Sequence, residues 1–188
     1  MTIQEYRNIA RKEQGIFIIS GIMASGKSTV AQLLAEQFDR GVHIRGDVFR
    51  KMIVSGREEM LPDASAEALA QLSLRHRIAA AAADAYFEAG FTVVIQDIII
   101  GPQLKEFIKL IQSKPLFVVV LAPCVETVAK REASRHKKGY GEWTIPQLNN
   151  ILQNETPRIG MWLDSSGQTA EETMNEILTK AWVEARIY

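Results

Sequence analysis

The residues best suited to chemistry in this chain sit close together near its start. They are Gly21-Ile22-Met23-Ala24-Ser25-Gly26-Lys27-Ser28. The spacing is G-x-x-x-x-G-K-S, a pattern that suits phosphate. Gly21 and Gly26 let the backbone turn tightly with N–H groups pointing inward. Those groups, with the positive end of a following helix, form a cradle for phosphate oxygens. Lys27 adds a mobile point charge for β- and γ-phosphates, and the Ser28 hydroxyl is a candidate Mg²⁺ ligand. The candidate nucleotide-binding run therefore extends from Gly21 through Thr29.

Two carboxylates can serve that cradle. Asp47 follows a short stretch that reads as a strand, Val42-His43-Ile44-Arg45, and should emerge on the same edge as the phosphate loop. There it could orient an acceptor hydroxyl and take its proton. As the residue before a helical run it could equally be a helix N-cap. Asp97 ends the apolar run Val93-Val94-Ile95-Gln96. That position suits a carboxylate that holds Mg²⁺ or its waters, and it suits a turn or capping residue as well. Arg131 and Arg135 are four residues apart and would share one helix face. Arg50, Arg57, Arg75, His76 and Tyr140 are weaker substrate-side candidates, being types that are commonly exposed. Three scattered histidines and one cysteine offer no zinc spacing.

These groups need a scaffold, and the hydrophobic pattern supplies one. Apolar strands are expected at Gly15–Ser20, at 42–45, at 91–95 and at Leu116–Leu121, with a weaker one over Arg158–Leu163. Between them lie helical stretches: Lys27–Phe38, 48–53, Ser65–Ala89, one opened by Gly101-Pro102, one from Val125 into the basic Arg131–Lys138, Thr144–Asn154, and Thr169–Ala185. A short polar helix or arm is expected over 2–13. Strands alternating with helices, with continuously apolar strands, indicate an α/β fold with a parallel sheet covered on both faces. Loops at the carboxyl ends of such strands build the site. Here they start at Gly21, Gly46, Gln96, Ala122 and Asp164.

The 188 residues are enough for one ordinary domain spanning 1–188. Hydrophobic residues are 47% and charged residues 23%, a globular balance. The 22 basic and 22 acidic residues cancel, so no global charge draws the chain to nucleic acid or an anionic membrane. The lone Cys124 excludes an intrachain disulfide framework, fits a reducing cytoplasm, and reads as a buried thiol. The first 13 residues are polar and mixed in charge, unlike a signal peptide, and no apolar run reaches transmembrane length.

The order of landmarks resembles a known group. The phosphate loop, the strand ending in Gly46-Asp47, the strand ending in Asp97, the basic Arg131–Lys138 segment and Asp164-Ser165-Ser166 span nearly the whole chain. This is similar to the small P-loop kinases, which include gluconate and shikimate kinases, and most similar to the chloramphenicol phosphotransferase-like proteins. The resemblance implies a five-stranded sheet in the order 2-3-1-4-5, with a short helical lid over about 131–143. It also implies transfer of the γ-phosphate of ATP, with Mg²⁺, to a hydroxyl of a small molecule. Asp47 would be the base, Arg131 and Arg135 would close over ATP, and the Asp164 loop would approach the adenine, unless it is only a polar turn. The scaffold is shared with gluconate and shikimate kinases, but no clear sugar-acid or shikimate signature is present. The acceptor stays open between an antibiotic, a sugar acid and a nucleotide sugar.

Two other function classes fit a phosphate loop. One is a nucleotide-dependent switch or regulatory binding protein, although no guanine-reading N-K-x-D motif is present. The other is a polynucleotide 5′-hydroxyl kinase, which the neutral charge and the lack of an extended basic stripe disfavour.

Overall fold

Alternate residues of each central strand feed two separate cores. Ile16, Ile18, Val93, Ile95 and Val118 belong to one. Phe17, Ile19, Val94, Phe117 and Val119 belong to the other. A strand buried on both faces must be apolar at every position, which is why these runs show no polar alternation. The computed structural model describes residues 5, 6, 8, 11–136 and 139–188. The expected arm over 2–13 therefore lies largely outside the described residues.

Five strands form the sheet: β1 (Ile16–Gly21), β2 (Gly41–Arg45), β3 (Thr92–Gln96), β4 (Leu116–Leu121) and β5 (Met161–Leu163). Their order is β2-β3-β1-β4-β5. All four pairings are parallel. The register sets Ile19 and Arg45 against Gln96, so β2 and β3 end together while β1 runs on through Ser20 and Gly21 beside β4. The helices are α1 (Lys27–Ala35), α2 (Gly46–Lys51), α3 (Ala66–Glu88), α4 (Gln103–Leu110), α5 (Val125–Ser134), α6 (Ile145–Asn150) and α7 (Ala170–Glu184). One core face is covered by α3, α4 and Val128 of α5. The other is covered by α1 and α7. Phe17, Phe117 and Trp182 stack there, with ring centroids 4.6 and 4.9 Å from that of Phe117. Each such buried side chain contributes roughly 1.5–3 kcal/mol.

Local signals set the helix starts. Ser65 Oγ accepts from the Ala68 N–H at 3.0 Å and caps α3. Thr144 with Gln147, and Thr169 with Glu172, form reciprocal capping boxes. Three expectations change. The expected helix over Thr144–Asn154 becomes α6 followed by a π-helical turn, Ile151–Glu155. The weak last strand shortens to three residues. The helix through the basic stretch stops at Ser134, because Arg135 is extended and Glu132 turns to the backbone N–H groups of Gly139 and Tyr140. Arg131 and Arg135 thus do not share a helix face, and the lid segment is not helical at 135, 136 and 139–144. Lys137 and Lys138 lie outside the described residues. Among the described residues, no helix is long and apolar enough to cross a membrane.

Candidate active site

The loop between β1 and α1 curls because three of its residues take positive φ: Gly21 at 145°, Ala24 at 62° and Gly26 at 99°. Left-handed residues interspersed with right-handed ones are the backbone from which an anion nest is built. A Cβ on Gly21 would stand 2.5 Å from Leu121 O and 2.8 Å from Ser25 Oγ. Gly21→Ala is therefore expected to destabilise the fold by about 1–3 kcal/mol, checked by chemical denaturation. At Gly26 the nearest atom to such a Cβ is Arg131 Nη1, 3.7 Å away. Ile22 and Ser25 are buried, and Ser28 and Thr29 are exposed on the first turn of α1.

Lys27 is folded into this loop, 7% exposed, with Nζ donating to Ile22 O at 2.6 Å. Burial, and then the charges of Arg135 and Arg75, push its ammonium from 10.5 down to about 7. Lys27 thus sits in the field of two guanidinium groups, an excess of positive charge that a polyanion would relieve.

Asp47 lies in the first turn of α2, at the carboxyl edge that also carries the loop after β1. It is not the cap: Arg45 holds that position, with no side-chain capping bond. Asp47 Oδ2 accepts from Lys51 Nζ, while Oδ1 is buried with no hydrogen-bond partner among the described residues. Burial alone would raise the carboxyl, but the Lys51 bond and the charges of Lys51, Arg45 and Arg75 hold it below its ordinary value. The structure thus leaves one carboxylate oxygen unbonded, among the described residues, on the sheet edge that also carries the phosphate loop.

Asp97 is buried at the end of β3. Its Oδ2 accepts from Arg75 Nε at 2.6 Å, and its Oδ1 accepts from Arg75 Nη2 and from the Ile98 N–H. The carboxylate lies against Gly46, where any Cβ would collide with it. Arg75 and His76 are not surface residues, contrary to the usual placement of their types. Arg75 is largely buried, which with the charge of Arg50 brings it down to about 10. His76 packs edge-on to Phe107 in the core, and burial with the charge of Arg75 holds it near 4, uncharged. Arg50 pairs instead with Glu59 at 2.8 Å.

The structure separates the two later arginines. From α5, Arg131 donates to Ser25 O at 3.0 Å and to Ser165 O at 2.8 Å. It thereby ties the phosphate loop to the loop after β5. A cavity of about 320 Å³ opens there, walled by Gly26, Thr29, Arg131, Ser165, Gln168 and Thr169. Asp164 Oδ1 accepts from Ser166 N and Oγ, a polar turn at the rim of that wall. Arg135 bonds Glu132 Oε2 at 3.1 Å. Tyr140 Oη donates to Met23 O at 2.9 Å and fastens the segment after α5 to the phosphate loop. Trp143 Nε1 donates to Met60 O at 2.7 Å, joining that segment to the loop before α3. Burial and the charge of Glu132 raise the Tyr140 hydroxyl above its ordinary value.

Three features escape the sequence reading. Cys124 is exposed, not buried; it stands at the N-cap position of α5 without a side-chain capping bond and donates its N–H to Ser166 Oγ. Gln168 and Thr169 wall the cavity, and the only signal was the T-x-x-E box that starts α7. The Arg75–Asp97 fork joins residues 22 apart and has no local signature.

The fold is shared with a sugar kinase from Janibacter sp. HTCC2649, at 19% identity and a TM-score of 0.68, over 89% of this chain and 94% of that one. It is shared with the Mycobacterium tuberculosis APS kinase in complex with AMPPNP and APS, at 17% identity and TM-score 0.63, over 88% and 95%. It is also shared with the Deinococcus radiodurans tunicamycin resistance protein, at 16% and 0.62, over 94% and 100%. Among curated proteins none matches the chain. A family described as an AAA domain, AAA_33, matches residues 16–155, which carry the phosphate loop, Asp47, Asp97 and Arg131. With its five parallel strands and its glycine-bounded lysine loop, the chain belongs to that AAA_33 family of P-loop NTPases.

Proposed function

We propose that the protein is an ATP- and Mg²⁺-dependent phosphotransferase that moves the γ-phosphoryl group to a hydroxyl of a small molecule. The observation that carries this reading is the unpartnered, ionised Asp47 oxygen on the same sheet edge as the buried Lys27. The kinase folds that share its architecture support it. The residues fit a magnesium ion held mostly by phosphate and water. Among the described residues no three His, Cys, Asp or Glu gather into a protein cage, and Ser28 is exposed on the first turn of α1. Ser28 would meet the ion directly and Asp97 through bound waters. The ion would neutralise charge on the β- and γ-oxygens.

The residues then divide the work. The loop Gly21–Thr29 holds the triphosphate, and Arg131 with the 320 Å³ cavity receives the base. The acceptor hydroxyl donates to Asp47 Oδ1. As its oxygen bonds to the γ-phosphorus, its proton passes to Asp47 and the bridging P–O bond breaks, leaving ADP. Lys27 and Arg135 balance the charge spread over the transferring group. The segment 131–143, fastened through Tyr140 and Trp143, acts as a lid that keeps water out.

The test is calorimetry with MgATP, followed by ATP consumption measured against antibiotics, sugar acids and nucleotide sugars. ATP loss matched by a phosphomonoester of one acceptor is expected. A folded chain that takes up no purine triphosphate overturns the reading.

A further inference from the structure

The segment after α5 is tied at one end to the phosphate loop. Glu132 of α5 accepts from the N–H groups of Gly139 and Tyr140, and Tyr140 Oη donates to Met23 O at 2.9 Å. Gly139 lies on Met23 as well, since a Cβ there would stand 3.2 Å from Met23 Sδ. Met23 O belongs to the same planar trans peptide as the Ala24 N–H, so the two point to opposite sides. Ala24 has φ 62°, a left-handed conformation that a non-glycine residue keeps only where its surroundings enforce it. A phosphate oxygen that accepts from the Ala24 amide therefore fixes the direction in which Met23 offers its carbonyl to Tyr140.

Three residues further on, the same segment reaches the side of Asp47. Trp143 Nε1 donates to Met60 O at 2.7 Å, and both Tyr140 and Trp143 pack against the core. Met60 lies in the loop between α2 and α3. Arg50 of α2 pairs with Glu59 of that loop at 2.8 Å. Gln71 of α3 holds Gly56 O at 2.8 Å and the Glu58 N–H at 3.0 Å. Arg50 follows Asp47 by three residues, so the two share a face of α2. The loop is thus tied to the face that carries Asp47, and Trp143 joins it to the phosphate side. Each end of the segment hangs on a side-chain hydrogen bond that is only part-buried, the kind of contact that opens locally.

We infer that residues 139–143 form a strap that couples the two substrate sites: filling the phosphate loop steadies the loop 55–63 beside Asp47, and Trp143 is the positioning residue at the far end of the strap. The inference rests on the phosphotransferase reading. Trp143 acts through Met60 and not on a reacting atom. The acceptor then meets Asp47 beneath a loop that settles only when nucleotide is in place. Coupling between two sites is reciprocal, so an acceptor seated under that loop tightens nucleotide binding by the same factor.

The test uses the full chain with MgAMPPNP, a non-hydrolysable ATP analogue, and needs no identified acceptor. It reads amide hydrogen exchange at Glu58 and Leu61, whose N–H groups donate to Gln71 Oε1 and Glu59 O. Saturating MgAMPPNP is expected to slow that exchange about 5–150-fold in the unaltered protein. Trp143→Phe keeps an aromatic ring and removes the N–H. At saturation it should show the parent's protection in the phosphate loop but a slowing of less than about two-fold at Glu58 and Leu61. Tyr140→Phe cuts the other end of the strap and should also lose the slowing at Glu58 and Leu61. Melting curves establish that each variant is folded, and either one alone decides the question. If Trp143 merely steadied the loop, Trp143→Phe would speed exchange equally with and without nucleotide and leave the ratio at its parent value. That result overturns the inference. So does a parent that binds MgAMPPNP, seen by calorimetry, without slowing at Glu58 and Leu61. A folded parent that takes up no MgAMPPNP overturns the phosphotransferase reading itself, and the strap with it.

Discussion

Asp47→Asn is expected to fold like the parent and turn over ~10²–10⁴-fold more slowly. The structure separates the two effects. Asp47 makes no capping bond, and its one partner, Lys51, is nearly half exposed, a pairing worth about 0.2–1 kcal/mol. Stability should therefore fall by no more than about 1 kcal/mol, and nucleotide affinity should hold. Turnover suffers because asparagine cannot accept a proton. The carboxyl of Asp47 is already held below its ordinary 3.8, so it is ionised throughout the neutral range. Any acid limb in the rate that belongs to Asp47 is accordingly expected below the ordinary carboxylate range. Steady-state rates with the acceptor found by screening provide the check. Near-parent turnover of Asp47→Asn removes Asp47 from the mechanism.

The second large effect concerns Lys27, where stability and function should move in opposite directions. Lys27→Met is expected to lower phosphotransfer on the order of 10³-fold, since it removes a preorganised charge from the transferring group. The same change should stabilise the free protein. A buried, desolvated ammonium among other cations opposes folding, and methionine fills similar space without a charge. The pH dependence gives a sharper readout. Lys27 has a folded value near 7 and an unfolded value of 10.5. Between those values the unfolded chain holds a proton that the folded chain does not, so stability rises with pH in that window. Denaturation of the parent from pH 7 to 10.5 should show that rise, and the difference between parent and Lys27→Met should shrink as pH climbs. A pH-independent difference would mean that Lys27 is not desolvated as described.

Much of the fold was legible because it rests on short-range regularities. Apolar runs buried on both faces name the strands, and Ser65 and the Gly21–Ser28 spacing name a cap and a turn within a few residues of sequence. The order of the strands was not legible in that way. Periodicity says that Ile16–Gly21 is buried but not that β3 and β4 flank it, and only the family resemblance supplied the order 2-3-1-4-5. Helix ends were legible where a side chain caps them. The end of α5 was not, because Glu132 reaches forward to Gly139 and Tyr140, and that competition is tertiary.

By itself the sequence determined that this chain carries a G-x-x-x-x-G-K-S loop between a buried strand and a helix, since glycines at fixed spacing act through backbone geometry that needs no distant partner. It also determined which carboxylates and arginines were available. Only the tertiary structure decided what they do to one another. It spent Asp97 on Arg75, left Asp47 Oδ1 unpaired among the described residues, set Arg131 against the cavity, and let the charge of Arg135 act on Lys27. Charges act through space and through burial, and both depend on residues that meet only when the sheet has closed its order.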